Sequence, residues 1–165
     1  GRCCATVSRK KPRRQVAMYK NIIIATDGSD LAAKAVEAGL QMAKTLNAAV
    51  TVMTVTPNWS ATQMAELATR GAAHPVEEYE KKAAQWAERV LAPAVARAKE
   101  LGLACACTHA IDKPIAEGII ETAQERGADL IVMSSHGRGL AGRLLLGSVA
   151  LKVLTLSSIP VMICR

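Results

Sequence analysis

At 165 residues the chain is long enough for one domain that buries roughly 70% of its unfolded surface, so its core needs no disulfide or metal staple. Half the residues are apolar, yet there are two Trp, two Tyr and no Phe; few platforms exist for stacked bases, which argues against a binder of single-stranded nucleic acid. The net charge of +7 is local: Arg2, Arg9, Lys10, Lys11, Arg13 and Arg14 precede Met18 with no acid among them, leaving 15 basic against 14 acidic residues beyond.

Residues 1–17 are read as a basic extension, expected to be disordered or non-native. A nucleic-acid arm and an organelle-targeting segment are the other readings of such a charge run. Residues 18–165 are expected to form a single domain. No run of 18 apolar residues occurs, so no membrane-spanning helix is expected. Cys3 and Cys4 lie in the extension, and Cys105, Cys107 and Cys164 form an odd, irregularly spaced set. That is not a disulfide framework, and it points to a reducing cytoplasm.

In chain order, "NIIIATDGSD" predicts a buried strand over Ile22 to Ile24, ended by the turn residues Asp27, Gly28 and Ser29. A helix follows to about Leu46, with Leu31, Ala35, Val36, Leu40, Ala43 and Leu46 at helical spacing and Ser29 or Asp30 as N-cap. "AAVTVMTVTP" reads as the second strand, and residues 57–75 as an irregular or partly helical connection. A long charged helix then runs to Gly102, its Lys81, Lys82, Glu77, Glu78 and Glu80 forming a solvated face, and Pro93 is expected to kink or interrupt it. "LACACTHAI" is the third strand. Pro114 opens a helix that ends near Arg126, with Gly127 as its stop, and "DLIVMSS" is the fourth strand. Gly147 to Leu156 is a further helix, and "IPVMICR" a fifth strand.

Strands alternating with helices predict an α/β fold: an open, mainly parallel sheet with helices on both faces, joined by right-handed crossovers. Ligands of such sheets sit beyond the carboxyl ends of the strands, where strand order reverses. Asp27 follows the first strand and Thr56 and Pro57 the second, while the fourth runs into "SSHGRGLAGRLLLGS". Glycines let backbone N–H groups approach an anion, Ser148 stands where a helix begins, Arg138 and Arg143 add charge, and no acid occurs after Asp129. A P-loop requires a lysine that is missing here, so Walker-type hydrolysis is unsupported. Gly137, Gly139 and Gly142 spell G-x-G-x-x-G, but neither the immediate helix nor the later acid of a dinucleotide fingerprint follows, and the match is read as accidental. Two plainer readings stay open: a loop in which Gly142 and Gly147 permit turns while Ser148 caps the helix, and an Asp27 that only bonds its own turn.

"MYKNIIIATDGSD" at 18–30, "DLIVMSSHGRGLAGRLLLGSVALKVL" at 129–154 and the closing "IPVMICR" resemble the universal stress protein family, along the whole chain from Met18. The resemblance implies a five-stranded parallel sheet of order 3-2-1-4-5, Rossmann-like, and a homodimer paired through the last strand. One branch of that family binds ATP through G-x2-G-x9-G-[S/T]. Gly137 and Gly147-Ser148 match this pattern, and Ser134 replaces its first glycine. The resemblance then implies that Gly137, Arg138, Gly147, Ser148 and Val149 meet phosphates, Asp27 and Val55 border adenine, and Met133 with Ser134 lies on the ribose side. A positive φ at Ser134 would cost roughly 1 to 2 kcal/mol, weakening a micromolar site about tenfold or somewhat more; a negative φ would cost almost nothing.

The expected function is an adenine-nucleotide module of the stress response, taking ATP, or AMP or ADP, with Mg or Mn held through the phosphates. It would act by binding and dimer signalling toward an unidentified protein partner, with neither nucleic acid nor membrane as partner. The competing expectations are the same fold without nucleotide, serving as an interaction module, and an ATP-consuming transferase or pyrophosphatase. No catalytic residue is assigned, and His136 is given at most a binding role. Cys105, Cys107 and His109 form C-x-C-x-H on one strand face, yet same-face neighbours are about 6.6 Å apart while thiolates sharing a zinc need roughly 4 Å. They are read as small buried cysteines, with no metal site.

Overall fold

The computed structural model describes residues 18–137 and 146–165. Among the described residues, five strands, β1 (Asn21–Ala25), β2 (Ala49–Thr56), β3 (Cys105–Ile111), β4 (Leu130–Ser134) and β5 (Val161–Cys164), are connected through five helices, α1 (Asp30–Leu46), α2 (Ala61–Thr69), α3 (Pro75–Glu100), α4 (Ile115–Glu125) and α5 (Ser148–Leu156), with α2 and α3 both between β2 and β3. The strands are all parallel in the order β3-β2-β1-β4-β5.

Central β1 shows why both faces carry helices. Ile22 and Ile24 point to one face and Ile23 and Ala25 to the other, all of them buried, as the two-residue period of a strand requires. The first face is closed by Val36 and Leu40 of α1 and Leu91 and Ala94 of α3, the second by Ile119 and Ala123 of α4 and Val153 of α5. The chain steps from β1 outward to β2 and β3, then returns to the other side of β1 for β4 and β5. That reversal opens a crevice between the carboxyl ends of β1 and β4.

Local chemistry sets most boundaries. Ser29 caps α1, its hydroxyl accepting from the Ala32 N–H, and Asn47 at φ 52° closes it in the left-handed conformation. Gly127, at φ 63°, follows the end of α4, and Pro114 stands one residue before its start. One expectation is sharpened and two change. The irregular or partly helical connection expected over 57–75 does contain a helix, α2, whose start the sequence reading did not place; it begins with a capping box between Ser60 and Gln63. Pro93 does not interrupt α3, because Val90, Leu91 and Ala94 are buried around it and packing outweighs the missing N–H. Cys105 and Cys107, expected to be buried, are half-buried and exposed, because β3 lies at the sheet edge that the expected strand order gives it.

The helices α1 and α3 are tied by a two-pronged ion pair. Arg97 donates from Nε to Glu37 Oε2 at 2.8 Å and from Nη2 to Oε1 at 2.9 Å, and Gln41 adds a bond to Oε1. The Arg97 guanidinium, with help from Gln41, draws the Glu37 carboxyl down to about 2 from 4.5. A depressed carboxylate contributes stability above its unfolded value, and that contribution disappears as pH falls from 4.5 toward 2. Both side chains are about two-fifths exposed, so solvent limits the gain. Glu37→Gln is expected to cost about 0.5 to 1 kcal/mol at pH 7 in urea unfolding, with the gap closing toward pH 2. A gap unchanged between pH 7 and pH 2.5 would count against this role.

Candidate functional site

The site grows from the ends of β1 and β4. Thr26 makes the last backbone bond to β2, donating to Met53 O at 2.9 Å, and Gly28 turns the chain at φ 77°. Asp27 is oriented within this turn, its Oδ1 accepting from Ser29 N at 3.0 Å and Ser29 Oγ at 2.7 Å. The carboxylate thereby stands beside Gly137, where an added Cβ would lie 3.0 Å from Asp27 Oδ2.

On the β4 side, Ser135 is 2% exposed and joins three segments. Its N–H donates to Cys164 O and its carbonyl accepts from Gly147 N, both at 2.8 Å. Its hydroxyl lies 2.8 Å from His136 Nδ1. The start of α5 is thus fixed against the end of β4. A Cβ on Gly147 would lie 3.1 Å from Ser135 O and 3.4 Å from His136 Cα, whereas its φ of −62° suits any residue. Space, not backbone conformation, calls for glycine at Gly147, where the close atoms are backbone, whereas at Gly137 the close atom is the tip of the Asp27 side chain.

Two sequence expectations are refined here. Gly147 is the N-cap of α5 and no side chain caps that end, so Ser148 is its first helical residue and not its cap. The first turn of α5 therefore offers backbone donors and the positive dipole end toward the crevice. Ser134 belongs to β4 and is not among the residues with positive φ, so the left-handed penalty does not apply. Its hydroxyl donates to His136 O at 2.8 Å.

Asp27, Val55, Met133, Ser134, Gly137, Gly147, Ser148 and Val149 all line one cavity of about 490 Å³ at the carboxyl edge of the sheet. Arg138, the ninth residue singled out, lies outside the described residues, as do Gly139, Gly142 and Arg143. The cavity has the size of a small-molecule or cofactor site. Its wall also includes residues not singled out as binding residues: Thr54 and Thr56 of β2, Ile115 and Ile119 of α4, Trp86 of α3 and His136. The α4 residues follow β3 and were foreshadowed by the strand-end rule, whereas Trp86 arrives from mid-helix with no local signal. Asp27 and His136 are the ionisable side chains among the described lining residues. A second cavity, of about 450 Å³, runs between α1 and α3 past Trp86, Glu37 and Arg97.

At β3, His109 Nε2 lies 2.7 Å from Thr56 Oγ1, and partial burial lowers the pKa of its ring. Burial raises the Cys105 and Cys164 thiols. Among the described residues no three His, Cys, Asp or Glu side chains gather closely enough to hold a metal ion, and no helix is long and apolar enough to cross a membrane.

The universal stress protein family matches residues 18–165. The chain is 31% identical over 153 residues to universal stress protein YxiE of Bacillus subtilis, covering 90% of this chain and all of that one. It is 32% identical over 159 residues to universal stress protein MJ0531 of Methanocaldococcus jannaschii, covering 90% and 83%. A crystal structure of a universal stress protein in complex with cAMP superposes with a TM-score of 0.65 at 28% identity, covering 90% of this chain and 98% of that one. With the sheet order and connections described above, the chain belongs to the universal stress protein family.

Proposed function

We propose that this protein binds an adenine nucleotide, ATP with Mg²⁺ or Mn²⁺ carried on its phosphates, or AMP or ADP, and acts in a stress response as a binding and signalling module. The observation that carries this reading is the meeting of eight residues, from the ends of β1, β2 and β4 and the start of α5, around one cavity. The start of α5 and the Gly147–Ser148 backbone would face the phosphates, Asp27 and Val55 the adenine, and Met133 with Ser134 the ribose. Arg138 would add charge to the phosphate side. The related universal stress protein in complex with cAMP supports an adenine nucleotide as the class of ligand. With Asp27 and His136 as the ionisable side chains of the described lining, the site suits retention better than turnover.

A reducing, cytoplasmic setting fits the free thiols Cys105, Cys107 and Cys164. A homodimer through β5 fits its position at the sheet edge, beside Leu151, Leu154 and Leu156 of α5, which are 55%, 41% and 55% exposed. In sedimentation equilibrium the protein should run as a dimer and Leu151→Glu/Leu154→Glu should dissociate it; a wild-type monomer would remove this assembly.

The ligand is tested by mass spectrometry of small molecules released from purified protein, followed by ATP calorimetry. Release of an adenine nucleotide, or ATP binding near micromolar, is expected. Absence of any released nucleotide together with no binding at millimolar ATP would overturn the reading and leave the fold as a protein-interaction module.

A further inference from the structure

His136 is held at several points, yet one of its ring nitrogens has no counterpart. Its carbonyl accepts the Ser134 hydroxyl and its Nδ1 lies 2.8 Å from the Ser135 hydroxyl. Ser135 is itself fixed to β5 through Cys164 O and to α5 through Gly147 N. The Nε2 atom, by contrast, is shielded from solvent and has no hydrogen-bond partner among the described residues. A buried polar nitrogen left in that state costs stability, and because His136 lines the cavity, a ligand oxygen that the ring turns to meet would relieve that cost.

The neighbourhood specifies that partner as an anionic oxygen. His136 adjoins Gly137 and sits across from the Gly147 start of α5, whose dipole favours negative charge. The acid on the facing strand end is Asp27, whose Oδ1 is taken up by Ser29. If the Ser135 hydroxyl donates to Nδ1, the neutral ring carries its hydrogen on Nε2; an imidazolium carries one on each nitrogen. Both of these states present an N–H at Nε2, and the remaining neutral tautomer, with Nδ1–H donating to the Ser135 hydroxyl, is the one an anionic oxygen at Nε2 would disfavour.

We propose that His136 Nε2 donates to a phosphate oxygen of the bound nucleotide, adding a side-chain contact to the backbone donors of α5. It is a binding residue, and the inference rests on the nucleotide reading above.

The test titrates ATP, AMP, adenosine and pyrophosphate into wild type, His136→Ala and His136→Gln by calorimetry, and follows the imidazole nitrogens of the wild type by ¹⁵N NMR. His136→Ala should weaken ATP and AMP about tenfold or more while changing adenosine less than about twofold, and His136→Gln, which keeps an N–H donor, should recover part of the loss. The Nε2 resonance should shift with ATP and not with adenosine. Equal losses for adenosine and ATP, or an Nε2 signal unmoved by ATP, would overturn the contact; the NMR arm decides even if His136→Ala misfolds. Binding of pyrophosphate without any adenine nucleotide, lost in His136→Ala, would overturn the nucleotide reading and sustain the phosphate contact. No binding of any of the four removes both.

Discussion

Gly147→Val is expected to lower ATP affinity by about a hundredfold, while Ser134→Gly leaves it within about twofold. At Gly147 the first added carbon would stand 3.1 Å from Ser135 O, the atom that accepts the Gly147 N–H at 2.8 Å. Valine adds two further methyls, so the N-cap must withdraw from β4 and carry the first turn of α5 with it. Two charge-assisted bonds to phosphate, each worth about 1.5 kcal/mol or more, would be misaligned, and about 3 kcal/mol corresponds to a hundredfold. The same crowding should cost about 1 to 3 kcal/mol in stability, read from a urea melt. Ser134 offers no such strain to relieve, because its φ is not positive and its hydroxyl is already bonded to His136 O. Calorimetry on both variants checks the pair. ATP binding by Gly147→Val at wild-type strength would remove α5 from the site, and a tenfold gain in Ser134→Gly would show that the serine side chain obstructs the ligand.

The contrast between these two positions shows what local sequence can and cannot convey. Gly137 and Gly147 were legible because their spacing was compared with a known pattern, but what stands close to each lies in a distant segment: the Asp27 side chain for the first and the Ser135 backbone for the second. Whether Ser134 needed a left-handed backbone depended on how far β4 extends, which propensity does not determine to the residue. Ser148 looked like a cap because serine favours that position, and the helix begins one residue earlier in register, with Gly147 there instead.

The fold was legible where period and punctuation agreed. Ser29 and Gly127 mark helix ends through their own chemistry, and the apolar triplet Ile22 to Ile24 could be buried only by covering both faces. Helix α2 was read only as a partly helical stretch because none of its residues is buried; its capping box was present, but Met64 and Leu67 are only half-buried and give a weak stripe. Cys105 and Cys107 of β3 were read as buried because cysteine looks apolar. The strand order implied by the resemblance already put β3 at the sheet edge, and that position, a property of the crossovers rather than of residues 105–111, leaves Cys107 exposed.

The central strand offers the largest expected stability effect. Ile24 is fully buried and paired in register with Val52 on one side and Val132 on the other. Facing it on α1 is Gly39, where an added Cβ would come within 2.6 Å of Ile24 Cδ1 and 3.4 Å of Val132 Cγ1. The absence of a side chain on the helix is therefore filled by the isoleucine. Ile24→Ala should cost about 3 to 4 kcal/mol, a large share of the 5 to 15 kcal/mol of an ordinary domain, because flanking strands hold the cavity open. Gly39→Ala alone should cost about 1 to 3 kcal/mol, since Ile24 is confined by its neighbours and cannot swing away freely. In the Ile24→Ala background the sign should reverse. There the new methyl enters vacated space, and replacing glycine inside a helix by alanine favours folding by about 1 kcal/mol. Urea unfolding of the four proteins forms a double-mutant cycle with a coupling of about 2 kcal/mol or more. Additive costs would mean that α1 can move off the sheet to admit a side chain, and the close approach at Gly39 would then not be what seats α1 against β1.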